Sequence, residues 1–214
     1  MVGRRTVLKL AAGLLLVREA LAQGRLEKGV YRARGEVWLN GAPAKPGMEV
    51  RAGDVVATGK DAELVFVIDR DAMLVRGGSR VEVQGRAGAL IASGLRVVTG
   101  AMLSVFSPGE PKRLVAHTAS IGIRGTGIYV ETEPARTYVC TCYGVADIAA
   151  AQDPASRETV RTEHHDQPRY VMAKGAPQMI MRAPVVNHTD AELIFLESLL
   201  GRIPPFVGRT YRPY

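Results

Sequence analysis

The segment SIGIRGTGIYVETEPARTYVCTCYGVADIAA, residues 120–150, carries the pattern that decides the fold. It contains four apolar stretches separated by glycine-containing or polar linkers: residues 120–123, 127–132, 137–142 and 145–149. Short stretches rich in Ile, Val and Tyr and bounded by turn residues are typical of β-strands. We therefore expect four short strands in this segment, with turns at its glycines.

The same pattern extends upstream to residue 30. Asn40-Gly41 is a strong signal for a two-residue hairpin turn. Turn signals recur about every 8 to 12 residues, the spacing of a sandwich, a barrel or a solenoid. No segment of helical periodicity interrupts the strands, which argues against a parallel α/β sheet. Residues 30–150 are therefore predicted to form one all-β domain.

The composition changes after residue 150. Residues 153–167 are polar and charged, and we expect a loop or a loosely packed excursion there, followed by two short strands near 170–173 and 178–181. Thr189-Asp190-Ala191-Glu192 has the form of a helix capping box, and an apolar stretch follows it before Gly201. The segment 151–214 is thus predicted to end in one helix that packs on the β domain.

The overall composition excludes several classes of protein. Hydrophobic residues make up 47% and charged residues 23% of the 214 residues, a globular balance. The net charge is +7, but the basic residues are scattered, with no dense basic run and no interleaved aromatic residues. We therefore expect no nucleic-acid partner.

Residues 1–22 have the features of an export signal. The basic start contains Arg4-Arg5, residues 10–17 are apolar, and Ala20-Leu21-Ala22 has the small-x-small cleavage pattern. The arginine pair resembles a twin-arginine signal, while ordinary secretion and an uncleaved anchor stay open as alternatives. We expect a mature chain that begins at Gln23, has no transmembrane span and resides in a bacterial periplasm or cell envelope.

The order of several motifs resembles a FecR-like domain over residues 35–150. Residues 48–59, MEVRAGDVVATG, fit the opening motif of that family, and SRVEV at 79–83 fits a later strand. IRGTGIYV at 123–130 fits the late "V-R-G-T-x-F-x-V" element, and GVADI at 144–148 resembles the closing strand.

The resemblance implies a right-handed β-solenoid or roll-like module with short Gly-rich turns, for which a β-sandwich is the alternative. It also implies binding or signalling in the cell envelope rather than catalysis, with a protein or an envelope polymer as partner. Regulators of that family usually place a sigma-controlling segment and a membrane helix before this domain. This sequence shows neither pattern, so we expect no direct anti-sigma role.

Arg124-Gly125-Thr126 lies within the FecR-like motifs and is expected to be a structural turn motif. Gly125 permits a tight or left-handed backbone. Thr126 can cap that turn with its hydroxyl group, and Arg124 can pair with a carboxylate such as Asp54 or Asp69.

Cys140 and Cys142 form the one group in this sequence with distinctive chemistry. Residues two apart in a strand point to the same face, and their Cα atoms lie about 6.6 Å apart at ~3.3 Å per residue. That separation is near the upper limit for an unstrained disulfide. The deprotonated pair is half of a site for a soft metal ion.

Histidines supply the remaining candidate ligands. His164 and His165 follow in the polar segment, and His117 and His188 are the other two histidines. We predict a metal site of Cys140, Cys142, His164 and His165, which suits tetrahedral zinc or Cu(I). A disulfide or redox-active pair and two inert buried thiols are the alternatives. Because no nucleophile elbow or phosphate-binding loop occurs, we expect no enzymatic activity.

Overall fold

The computed structural model describes residues 28–90 and 92–210, so the export signal predicted at residues 1–22 lies outside the described residues. The elements in that part of the chain are β1 (Gly29–Arg34), β2 (Val37–Leu39), β3 (Ala42–Pro43), β4 (Val55–Thr58), β5 (Glu63–Ile68), β6 (Asp71–Val75), β7 (Arg80–Gln84), β8 (Gly94–Val105), β9 (Lys112–Val115), β10 (Ala119–Thr132), β11 (Arg136–Ala150), β12 (Asp153–Thr162), β13 (Arg169–Met172), β14 (Ile180–Arg182) and α1 (Asp190–Ser198). The predicted all-β fold with one C-terminal helix is confirmed.

Three long strands, β8, β10 and β11, each take part in two layers. The first layer has the order β1–β5–β6–β8–β10–β11–β13–β14. The second has the order β3–β2–β4–β7–β8–β9–β10–β11–β12. Between the described strands every ladder is antiparallel except β8–β9. The roll is therefore made by long strands that bend, and not by parallel coils stacked as in a solenoid.

The two layers pack face to face around the main apolar core. Phe66 of the first layer and Val81 and Leu114 of the second belong to one buried cluster. Strand β10 contributes Ile121 from its first half and Val130 from its second half to the same cluster. Both halves of β10 thus contribute side chains to the one core between the two layers.

The segment 120–150 contains two long strands rather than the four short ones expected from the sequence. The β10–β11 register shifts between Arg124 and Gly127, where Gly125 has a φ of 60°. Gly144 on the facing strand has a φ of 95°, and a Cβ there would lie 2.7 Å from the Gly125 carbonyl oxygen. A β-bulge of this kind bends the strands, so each passes from one layer to the other.

Thr126 and Arg124 form the side-chain contacts of this bulge. The Thr126 hydroxyl donates to the Val145 carbonyl oxygen at 2.8 Å. Arg124 lies 3.3 Å from the carboxylate of Asp147, and not beside Asp54 or Asp69 as expected. Both contacts link β10 to β11. Arg124-Gly125-Thr126 therefore lies at a bend within a strand and not at a turn between strands.

The polar segment after residue 150 corrects a second expectation. Residues 153–162 form β12, which pairs with the end of β11, whereas a loop was expected there. Most of its side chains are exposed or half-buried, and only Val160 and Thr162 are buried. An edge strand with one face in solvent needs few apolar residues, so composition alone did not indicate it.

Helix α1 covers the outer face of the first layer. Leu193 and Leu196 are fully buried in a second apolar cluster, together with Val67, Leu74 and Leu103 from the strands. The helix has nine residues. Within residues 28–90 and 92–210, no helix is both long and apolar enough to cross a membrane.

The predicted capping box begins this helix. The Thr189 hydroxyl accepts from the Glu192 N–H, and the Glu192 side chain accepts from the Thr189 N–H. Glu192 also lies 2.7 Å from the Arg76 guanidinium at the end of β6. These contacts fix the N-terminus of α1 on the first layer.

We predict that Gly125→Ala destabilises the protein more than Gly78→Ala. Both glycines have a left-handed backbone conformation, with φ of 60° and 67°. An alanine in that conformation should lower the free energy of unfolding by about 1 to 2 kcal/mol. A Cβ at Gly125 would lie 2.9 Å from Pro108 Cα, whereas Gly78 faces open space. The overlap should add ~1–3 kcal/mol in urea unfolding. Equal losses in the two variants would contradict this account of the bend.

Candidate metal centre

Cys140 and Cys142 lie side by side on the outer face of the first layer, beneath α1. One residue of β11 separates them, and both belong to the apolar cluster that the helix covers. Both are free thiols and both are 0% exposed. The Cys142 thiol donates to the Cys140 carbonyl oxygen at 3.6 Å. The thiols share one face, as strand spacing predicts.

His165 reaches the thiols because one edge of β11 is left uncovered at this point. On that edge β11 pairs with β13 up to Val139 and with β12 from Gly144 onward. The loop after β12 crosses the interval, and the His165 N–H donates to the Cys142 carbonyl oxygen at 2.9 Å. The His165 Nδ1 atom then lies 3.5 Å from Cys140 Sγ.

His188 reaches the same point from the segment before α1. Its ring stacks on Tyr129, with centroids 4.7 Å apart and planes inclined by 15°. Its Nδ1 donates to the Val186 carbonyl oxygen at 2.6 Å, and its Nε2 lies 2.9 Å from His165 Nδ1. Two backbone segments distant in sequence therefore bring two imidazole rings together beside the thiols.

The structure brings together three of the four predicted ligands and replaces the fourth. One donor atom from each of four residues lies within 4.8 Å of the others: Cys140, Cys142, His165 and His188. His164 belongs to a different group, because its Nε2 lies 2.9 Å from both carboxylate oxygens of Asp190. The structure therefore places His188, rather than His164, beside the two cysteines.

Local sequence pattern does not distinguish His188 from His117. His188 immediately precedes the capping box, so its place depends on how α1 packs on the sheet. His117 is exposed between β9 and β10. The one sequence signal for His188 as a ligand is its position next to the start of a helix. That signal does not specify which strands the helix covers.

The outer nitrogen of each ring faces an acceptor. His188 Nδ1 is bonded to the Val186 carbonyl oxygen, and His165 Nε2 lies 3.1 Å from the Asp190 carboxylate. Each of these outer nitrogens is therefore placed to donate a hydrogen bond. The inner nitrogens lie 2.9 Å apart, close enough to bind one metal ion together.

The two thiols differ in acidity. Burial opposes ionisation of Cys140, but its polar contacts with Cys142, His165 and His188 outweigh burial and hold the pKa of Cys140 well below its ordinary value. Burial, together with the hydrogen bond and charge of Cys140, raises the pKa of Cys142 well above its ordinary value. Cys140 is therefore the more acidic of the two thiols.

Aromatic side chains lie next to the centre. The rings of Phe206 and His164 have centroids 4.8 Å apart. The Tyr138 hydroxyl donates to the Pro184 carbonyl oxygen at 3.0 Å. Burial and the neighbouring Cys140 raise the pKa of Tyr138, so its hydroxyl stays protonated. Exclusion of water from the centre strengthens the electrostatic interactions within it.

Comparison with known proteins supports the fold. No family model and no curated protein matches the sequence. Two crystal structures of a "putative anti-sigma factor" from Parabacteroides distasonis are similar, with TM-scores of 0.51 and 0.50 and 11% sequence identity. The match covers 67% of this chain and 64% of each of those chains, so this chain spans less than two thirds of their length. The similarity shows a shared, mostly β fold.

We predict that the metal-free protein at neutral pH is alkylated at Cys140 before Cys142. Both thiols are equally buried, so the order of reaction should follow their ionisation, because the thiolate is the nucleophile. A short pulse of iodoacetamide followed by fragment-ion mass spectrometry measures the ratio. The single variants Cys140→Ser and Cys142→Ser serve as reference samples. Equal labelling of the two positions would refute the difference in acidity.

Proposed function

We propose that this chain is a non-enzymatic, zinc-binding module of the bacterial cell envelope, built on an FecR-like β domain that binds a protein partner. One observation carries the metal-binding part. Two imidazole nitrogens face each other at 2.9 Å beside two buried free thiols. The mostly β fold shared with the anti-sigma factor structures supports the proposal that the β domain binds a protein partner.

The four donor atoms suit a tetrahedral ion. Zinc bonds of ~2.3 Å to sulfur and ~2.0 Å to nitrogen put neighbouring sulfur and nitrogen donors roughly 3.5 Å apart. Cys140 Sγ and His165 Nδ1 already have a separation of 3.5 Å. The two ring nitrogens, 2.9 Å apart, need to separate to about 3.3 Å, a shift of a few tenths of an ångström.

Charge balance favours Zn²⁺ over Cu(I). The cysteines and His165 are almost fully buried, and an uncompensated charge in such a place is costly. Two thiolates with two neutral imidazoles neutralise a divalent ion, whereas a monovalent ion leaves one negative charge. Cu(I) is the alternative soft ion, and it reaches neutrality only if one thiol keeps its proton.

Both histidines are already oriented for coordination. His188 donates its outer N–H to a carbonyl group, and His165 donates its outer N–H to the carboxylate of Asp190. Metal-binding histidines commonly have such outer partners, which fix the ring and its protonated nitrogen. An ion bound here would connect β11 to the segment that begins α1.

The FecR-like motifs at residues 35–150 support a protein-binding role for the β domain. The predicted export signal at residues 1–22 supports a location in the periplasm or cell envelope. Thiols in such an oxidising compartment are prone to disulfide formation, and coordination by an ion would protect the Cys140–Cys142 pair.

We predict that the chain, purified without chelators or a histidine tag, binds Zn²⁺ through its thiolates. Competition with a chromogenic chelator should show an affinity reduced about 100-fold or more in Cys140→Ser/Cys142→Ser, which removes two ligands, and in His188→Gln, which removes one. His117→Gln is the matched control and should bind as the natural chain does, since His117 is exposed and outside the centre.

Absence of zinc binding in the natural chain would overturn the metal-binding function. Two reactive thiols, or one disulfide, would then favour a thiol-redox function that uses the low pKa of Cys140. Binding of Cu(I) alone would retain the centre and contradict the assignment of zinc.

We predict that the exported chain begins at Gln23 and that export uses the arginine pair. Arg4→Lys/Arg5→Lys keeps the positive charge but removes the pair, so it should reduce export by a twin-arginine route. Cell fractionation with intact-mass measurement of the chain provides the readout. Undiminished export of the variant would indicate ordinary secretion, and an uncleaved natural chain in the cytoplasm would refute the location.

A further inference from the structure

A second group of potential metal ligands shares His165 with the proposed zinc centre. His164 Nε2 lies 2.9 Å from both oxygens of Asp190, and His165 Nε2 lies 3.1 Å from one of them. One donor atom from each of these three residues lies within 4.8 Å of the others. The two ring nitrogens of His165 thus point to two different groups of donors.

The backbone explains how consecutive histidines approach one carboxylate. In an extended chain, neighbouring side chains point to opposite sides. His165 instead has a φ of 49°, a left-handed conformation that is uncommon for a residue with a side chain. The rings of His164 and His165 consequently lie edge to face, with centroids 4.8 Å apart, and both face Asp190. Strained backbone of this kind is concentrated at functional sites.

We infer that His164, His165 and Asp190 form a second metal site and that the His165 ring bridges its ion to the zinc ion. This inference rests on the proposed zinc centre. Binding of the second ion releases the Nε2 proton of His165 to solvent, and the resulting imidazolate donates one nitrogen to each ion. His164 keeps one proton, which moves from Nε2 to Nδ1. The Asp190 carboxylate exchanges its hydrogen bonds for coordination.

The donors specify the class of the second ion. Two imidazole nitrogens and a carboxylate suit borderline divalent ions such as Zn²⁺ or Cu²⁺, in contrast to the thiolate-rich inner centre. The imidazolate and the carboxylate together balance a charge of +2. The Asp190 side chain is 39% exposed, so the second ion faces solvent and can keep water ligands.

The same contacts can also be completed without an ion, by two histidine N–H groups that donate to one carboxylate. The two arrangements differ in the number of ions that the chain binds. Counting ions while distinguishing thiolate from non-thiolate ligands therefore separates them.

Titration of the metal-free protein with Co²⁺ provides this test. Thiolate ligands give cobalt a charge-transfer absorption in the ultraviolet, whereas histidine and carboxylate ligands give only weak visible bands. We expect two equivalents to bind, of which one develops the thiolate absorption. His164→Gln should bind one equivalent and keep the full thiolate absorption. Asp190→Asn should also lose the equivalent that gives no thiolate absorption. His117→Gln should bind both.

The outcomes separate this inference from the zinc centre on which it rests. One equivalent with thiolate absorption in the natural chain overturns the second site and leaves the zinc centre intact. No bound cobalt and no bound zinc overturn both. Two equivalents in the natural chain that persist in both His164→Gln and Asp190→Asn also overturn the second site, because the extra ion then binds elsewhere.

Discussion

The bend that Gly125 and Gly144 permit in the β10–β11 hairpin determines how the two layers are arranged. It divides each strand into two halves. One half belongs to the first layer, which α1 covers, and the other half belongs to the second layer. The bend also ends the pairing of β12 with β11 at Gly144, and the chain then leaves the sheet as a loop. His165 lies in that loop. The position of the proposed zinc centre therefore follows from the geometry of the bend.

The centre combines a rigid part with a docked part. The two cysteines are fixed in β11, which pairs with β10 at this point, whereas His188 and Asp190 belong to the segment that begins α1. Their positions depend on the capping box, on the Arg76–Glu192 ion pair and on the leucines beneath the helix. Coordination of an ion would therefore strengthen the attachment of the C-terminal segment to the sheet. The surface that this segment forms would then depend on whether the ion is bound.

Features set by local pattern could be predicted from the sequence, and features set by distant contacts could not. The strand character, the helix with its capping box and the shared face of Cys140 and Cys142 follow from residue spacing over a few positions. The continuation of β10 through Gly125 does not, because the same glycine signal fits a turn or a bulge. The exchange of His164 for His188 has a similar cause, since it depends on a left-handed residue in one loop and on the docking of a helix.

The β10–β11 hairpin also has a consequence for the order of folding. Its strands are separated by only residues 133–135, so the hairpin closes with a small loss of chain entropy while it forms part of both layers. The metal centre additionally needs β12, the loop after it and the start of α1, so it is completed late. An ion bound there would stabilise contacts formed after the folding transition state. Its main kinetic effect would be to slow unfolding, with little effect on the rate of folding.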